Sequence, residues 1–161
     1  MPVKQLIIVI IISLLTGCAL TPIFDTAKVN TALTPKLVLN KPAENLGQTA
    51  LWGGTILDIQ NLKDSTHIEI LAYPIDSFQR PNLNKTPTGR FIVRNQGFLD
   101  PASFSQGQSI SVLGKISESQ NATIGESSYR YPVIDAQQVH LWSKRKTKTQ
   151  SNFSFGFGIS L

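Results

Sequence analysis

Apolar and polar residues alternate with a period of two in several separate stretches of this chain, the pattern of strands with one buried and one wet face. In residues 66–73, Ile68, Ile70 and Ala72 fall on one side, and His67, Glu69 and Tyr73 on the other. In residues 89–95, Phe91 and Val93 alternate with Arg90 and Arg94. Residues 109–116 place Ile110, Val112 and Ile116 inward around Gly114. Residues 131–142 form a last strand whose phase slips at Gln137-Gln138, as a bulge would cause. The first strand, residues 50–59, contains Trp52-Gly53-Gly54, and paired glycines there predict a bulge or bend that lets one strand serve two sheets. Between strands three and four lies Gly97-Phe98-Leu99-Asp100-Pro101-Ala102-Ser103-Phe104, where Asp100 can cap a short helix and Pro101 fits its first position. Phe98, Leu99 and Phe104 would then plug one end of a barrel.

This order predicts an all-β chain: a small, OB-fold-like five-stranded barrel with one short helix. A β-sandwich is the rival, and the capped plug between strands three and four favours the barrel. The residues before the first strand lack any sustained period. Up to about Gly47 they are rich in Thr, Pro, Ala and Asn and read as an extended tether, with Leu33 to Leu39 the one stretch that could add an edge strand.

The start of the chain is of a different kind. Lys4 precedes an apolar run from Leu6 to Leu15 whose helical length of roughly 15 Å is half a hydrocarbon core, so it reads as an export signal rather than a span. It ends in Leu15-Thr16-Gly17-Cys18, which resembles the lipobox of bacterial lipoproteins at all four positions. The resemblance implies cleavage before Cys18, a diacylglyceryl thioether on its sulfur and an acyl group on its new amine. Three acyl chains give essentially permanent attachment, since one alone is marginal. Ala19, rather than an aspartate, follows the cysteine, which in lipoprotein sorting implies the outer membrane.

The expected organisation is therefore a signal peptide over residues 1–17, a lipidated tether over 18–47, a barrel domain over 48–142 and a tail over 143–161. Cys18 is the only cysteine, so neither a disulfide nor a thiolate metal cluster is available to the fold. Lys and Arg number 15 against 10 Asp and Glu. Lys4 lies in the leader and Lys144, Arg145, Lys146 and Lys148 lie in the tail, so the body of the chain between them is balanced in charge.

That balance argues against nucleic acid, whose binding domains carry a basic footprint. Candidate chemistry is sparse. His67 and His140 sit in separate strands without a nucleophile-elbow serine, and Asp58, Asp76, Asp100 and Asp135 fall where caps and turns explain them. The sequence thus assigns no catalytic residue, no metal ligand and no cofactor beyond the lipid on Cys18. A degenerate periplasmic enzyme acting on a wall or lipid substrate would need His67 or His140 in a cleft within reach of a carboxylate or hydroxyl.

OB barrels bind across strands two and three, where Glu69, Tyr73, Arg90 and Arg94, with Tyr129, Arg130 and Tyr131 nearby, form a candidate ligand face for a glycan, peptide or phosphate. In the tail, Phe153, Phe155, Phe157 and Ile159 recur every second residue behind Lys144, Arg145 and Lys146. Such a row suits contact with a membrane interface or a partner, or docking on its own barrel.

Several segments together resemble the Slp family of outer-membrane lipoproteins: Leu51-Trp52-Gly53-Gly54 with Ile56, Thr66 to Pro74 with Ile75-Asp76, Gly89-Arg90-Phe91, Gly97-Phe98-Leu99-Asp100-Pro101, Val112-Leu113-Gly114 and His140-Leu141-Trp142. The resemblance implies attachment to the outer membrane, and the sequence as a whole is read as a periplasm-facing, non-catalytic binding or structural module for an envelope protein, glycan or lipid. The resemblance brings no catalytic residue, cofactor or ligand with it. The tail after Trp142 departs from the family pattern.

Overall fold

A computed structural model describes residues 22–27 and 29–143. Five strands form in sequence: β1 (Thr49–Asn61), β2 (Ser65–Tyr73), β3 (Gly89–Gln96), β4 (Ser109–Ile124) and β5 (Ser127–Trp142). They close into a barrel in the order β1-β2-β3-β5-β4, every pairing antiparallel except β3 with β5. That is the OB arrangement expected from the alternation. The inward positions are those the period of two marks: Ile56, Ile68, Ile70, Phe91, Val93, Ile110, Val112 and Ile134 are completely buried. Trp52 meets Phe91 edge to face at 5.1 Å, an arrangement that suits the two ring quadrupoles.

β1 serves both halves of the barrel. Its first part pairs with β4 from Thr49 to Thr55, and its second with β2 from Gly53 to Asn61. The bulge lies later than the glycines suggest, between Ile56 and Asp58. Gly53 and Gly54 instead mark where neighbouring strands come closest. A Cβ on Gly54 would overlap the Leu71 carbonyl oxygen, and one on Gly53 would stand 2.8 Å from Ile75 Cγ2. The slip at Gln137-Gln138 is a real bulge, since the β4–β5 register shifts between Leu113 and Gly114, where the partners step from Gln138 to Ala136.

Three features differ from expectation. The segment before β1 is folded onto the barrel rather than extended. Thr34 caps helix α1 (Pro35–Asn40) by accepting from the Leu37 amide, with Pro35 at its first position, and α2 (Pro42–Asn45) follows directly. Val38 joins the core, Trp52 Nε1 donates to the Leu33 carbonyl at 2.9 Å, and Phe24 is buried with Leu51 and Leu113. Thr34-Pro35 and Lys41-Pro42, which read as tether, are here helix starts.

Second, the plug between β3 and β4 is a single turn, closed by Phe104 N donating to Asp100 O, with the Asp100 carboxylate accepting from the Ala102 amide. Leu99 and Phe104 pack on the core, but Phe98 is 72% exposed. Leu99 is fixed at the β1–β2 turn by Asn61 and Thr66, whereas α1 covers the opposite end, where Lys36 N donates to Thr88 O. Third, β4 and β5 run on as a two-stranded ribbon that turns at Gly125, whose φ is +59. Its residues 117–130 are mostly polar, with only Ala122, Ile124 and Tyr129 breaking the run, so alternation does not reveal it.

Candidate functional site

The strands bring most of the predicted ligand face together, and its charges meet one another. Arg90 on β3 donates to Glu69 on β2 at 2.7 Å, and the Tyr131 hydroxyl on β5 donates to the same carboxylate oxygen at 3.0 Å. Tyr129 packs edge on against Tyr131 at 4.7 Å, and its hydroxyl accepts from the Arg90 amide. Arg94 donates to Asp135 at 2.6 Å and to Glu118 at 2.7 Å, with Ser117 accepting a third bond. The carboxylate hydrogen bonds push both guanidinium pKa values further up, Glu69 dominating at Arg90 and Asp135 at Arg94. The Tyr131 phenol is raised as well, first by burial and then by Glu69, whose negative charge resists a second one.

These groups sit on the shortest ladder of the barrel. β3 and β5 pair through only Ile92↔Val133, Val93↔Ile134 and Arg94↔Asp135. The two arginine clusters therefore work as a polar clasp across the closing seam, with their charges already neutralised. Tyr73 lies apart at the far end of β2, lining a small cavity of about 190 Å³ with Leu33, Trp52 and Pro74. Arg130 lies on the β4–β5 ribbon, facing Asn121. His67 and His140 lie on β2 and β5; His140 packs on Trp142 at 4.5 Å, and neither makes a hydrogen bond to a carboxylate or hydroxyl among the described residues. No trio of His, Cys, Asp or Glu comes together there as a metal site. Cys18 and the tail residues Lys144, Arg145, Lys146, Phe153, Phe155 and Phe157 lie outside the described residues.

A larger cavity, not legible in the sequence, opens between the β2–β3 connection, the start of β4 and the end of β5. It measures about 620 Å³ and is lined by Asp76, Arg80, Asn82, Asn84, Gln108 and Trp142, among others. Asp76 builds its rim: one carboxylate oxygen accepts from the Phe78 and Arg80 amides at 2.9 and 3.0 Å, and Ile75 bridges to Pro81. The tight turn forces Gln79 to a φ of +63, a conformation that costs a non-glycine residue about 1–2 kcal/mol.

Gln79 is held there from three sides. Its amide donates to the Phe24 carbonyl at 2.9 Å and accepts from the Phe24 amide at 2.8 Å, and its own carbonyl accepts from the Ser111 hydroxyl at 2.6 Å. Ser111 in turn accepts from Trp142 Nε1, and Arg80 lies over the Trp142 ring at 5.3 Å. A continuous chain of contacts thus joins the amino-terminal arm to the cavity wall. The only sequence signal for it is Asp76 four residues before Arg80, between Pro74 and Pro81.

Strand order and the folded arm define the class: a small OB-type barrel carrying a packed amino-terminal extension. The chain belongs to the Slp family of outer membrane lipoproteins, whose family model matches residues 15–157. It is 30% identical over 123 residues to the Outer membrane protein Slp of Escherichia coli, and 33% identical over 133 residues to the Uncharacterized lipoprotein YeaY of the same organism. These matches take in 75% and 80% of this chain but 65% and 67% of the relatives, so it spans about two thirds of their length. Among solved structures, a small single-stranded DNA-binding protein from Streptomyces coelicolor aligns with 59% of this chain and 94% of its own at 13% identity, with a TM-score of 0.35. A likeness at that level carries no functional argument.

Proposed function

We propose that this Slp-family chain is a lipid-anchored module of the outer membrane, held through acylated Cys18 and facing the periplasm, that binds an envelope component without chemical turnover. One observation carries the binding reading: Arg80, resting on Trp142 in the large cavity, has no carboxylate partner among the described residues, whereas Arg90 and Arg94 are neutralised in the clasp. An arginine presented on an aromatic face beside open polar volume suits recognition of a ligand. Among the described residues neither histidine has an acid or hydroxyl hydrogen-bond partner of the kind general-base chemistry uses.

The test is fractionation of cells expressing the natural chain or Cys18→Ser. The natural chain should partition with outer-membrane vesicles and incorporate labelled palmitate. The variant should incorporate none and remain as an uncleaved precursor. Palmitate labelling that persists in the variant, or recovery of the natural chain as a soluble protein, would refute the anchor.

A further inference from the structure

Four properties of the large cavity, taken together, point to a class of ligand. Its volume of about 620 Å³ falls in the range of small-molecule sites, roughly 300–1,000 Å³. Its wall combines one aromatic ring with planar polar side chains, Asn82, Asn84 and Gln108, which can form paired hydrogen bonds to vicinal hydroxyls. The Gln108 Oε1 atom is buried and has no hydrogen-bond partner among the described residues, so it becomes an acceptor for a ligand donor once its side chain turns toward the cavity. Finally, Arg80 supplies a positive charge whose sole hydrogen-bond acceptor among the described residues is the Ser143 carbonyl at a long 3.4 Å.

Asp76 is the one carboxylate of this wall, and its charge is partly offset by the two amides of its own turn. The site therefore asks for hydroxyl or amide donors at one side and a single negative group at the other. An apolar ligand would leave Gln108 unsatisfied, and a bare phosphate would leave the asparagines and Gln108 unused.

We propose that the cavity binds a saccharide carrying one anionic group, with the acid on Arg80, the ring hydroxyls on Asn82 and Asn84, and a hydroxyl or amide donating to Gln108. This rests on the binding-module reading and names its ligand. Two sources share that chemistry in an envelope: a wall sugar with a carboxylate, or a lipid-borne sugar phosphate. The site is separate from the β2–β3 face, where the clasp occupies the arginines.

The experiment is calorimetry on the full acylated chain in non-ionic detergent with N-acetylmuramic acid, glucose 1-phosphate, their neutral counterparts N-acetylglucosamine and glucose, and inorganic phosphate. The charged sugars should bind about tenfold or more tightly than the neutral ones and than phosphate, and Arg80→Gln should abolish that preference. Gln108→Leu should weaken every sugar alike while leaving the charge preference in place. Thermal melting within a few degrees of the natural chain confirms that each variant is folded.

A muramic acid preference assigns the wall as source, and a glucose 1-phosphate preference assigns the lipid. Binding that ignores charge, binding unchanged in Arg80→Gln, or equal affinity for phosphate and sugar phosphate would overturn the proposal, as would no binding of any charged sugar. Chemical alteration of the recovered probe would instead refute the non-catalytic reading.

Discussion

Replacing Gly54 by alanine tests the register of β1 against β2 directly. The added Cβ would overlap the Leu71 carbonyl oxygen and approach Ile70 Cγ2 at 2.5 Å. The oxygen belongs to the paired strand and cannot swing away, so the ladder from Gly53↔Tyr73 to Ile56↔Ile70 must part. Forced overpacking costs about 1–3 kcal/mol, and a backbone obstacle puts this site at the upper end. Removing glycine from the unfolded chain returns about 0.4–1 kcal/mol, so the net loss is about 2 kcal/mol. For a body of this size that lowers the melting midpoint on the order of 10 °C.

Gly53→Ala is the internal control. Its Cβ would meet Ile75 Cγ2 at 2.8 Å, Ser111 Oγ at 3.1 Å and the Ile110 carbonyl oxygen at 3.3 Å, looser contacts than those at Gly54, so its midpoint should fall by only about half as much. The assay is thermal unfolding followed by far-ultraviolet circular dichroism. Equal midpoints for the two variants, or a larger drop for Gly53→Ala, would refute the register.

Truncating one partner of the clasp should cost more than removing both: Arg90→Leu should lose about 1–2 kcal/mol in urea unfolding, and Arg90→Leu with Glu69→Leu should recover most of it. These side chains are 31% and 27% exposed, which keeps the figure below that of a fully buried pair. Tyr131, whose folded pKa lies above the usual tyrosine value of 10.0, contributes stability that is complete below that pH and is lost as pH rises through the higher folded value. The natural chain should therefore lose stability above about pH 10 more steeply than Tyr131→Phe, measured by urea midpoints across pH 9–11. Gln79→Gly keeps the positive φ while removing both side-chain bonds to Phe24, so the melting midpoint should move by less than about 5 °C. Amide exchange of the arm before Leu33 should nevertheless accelerate about tenfold.

Alternation made the barrel legible because Ile68, Ile70, Phe91, Val93, Ile110 and Val112 each face a single core, and two-fold periodicity reports that directly. It could not report the arm. Phe24 and Val38 lie in short apolar clusters, Ile23-Phe24 and Leu37-Val38-Leu39, that show no period of two, and their burial depends on partners far along the chain, Leu51 and Leu113 for the first. The glycine pair was recognised as special but for a different cause, because close approach between strands and bulging leave the same mark in a sequence. The candidate face illustrates a further limit. Arg90 and Arg94 were visible as outward charges, yet whether a charge is free depends on what the neighbouring strand sets opposite it, and Glu69, Glu118 and Asp135 reach them only through closure of the barrel. Arg80, Gln108 and Trp142 are drawn from three separate elements, so no local pattern announces the cavity they line.

The docking of Phe24 changes how an acyl anchor at Cys18 would act. Five residues lie between the two positions, a contour of at most about 20 Å, where a free leader ending at Gly47 would have allowed the barrel to roam. Because Gln79 grips Phe24 and adjoins Arg80, the end of the barrel that such an anchor would hold nearest the lipid is also the end that carries the cavity. A chain anchored in this way would stay low and oriented on the membrane surface, and it would meet a ligand by lateral diffusion in two dimensions rather than by reaching outward.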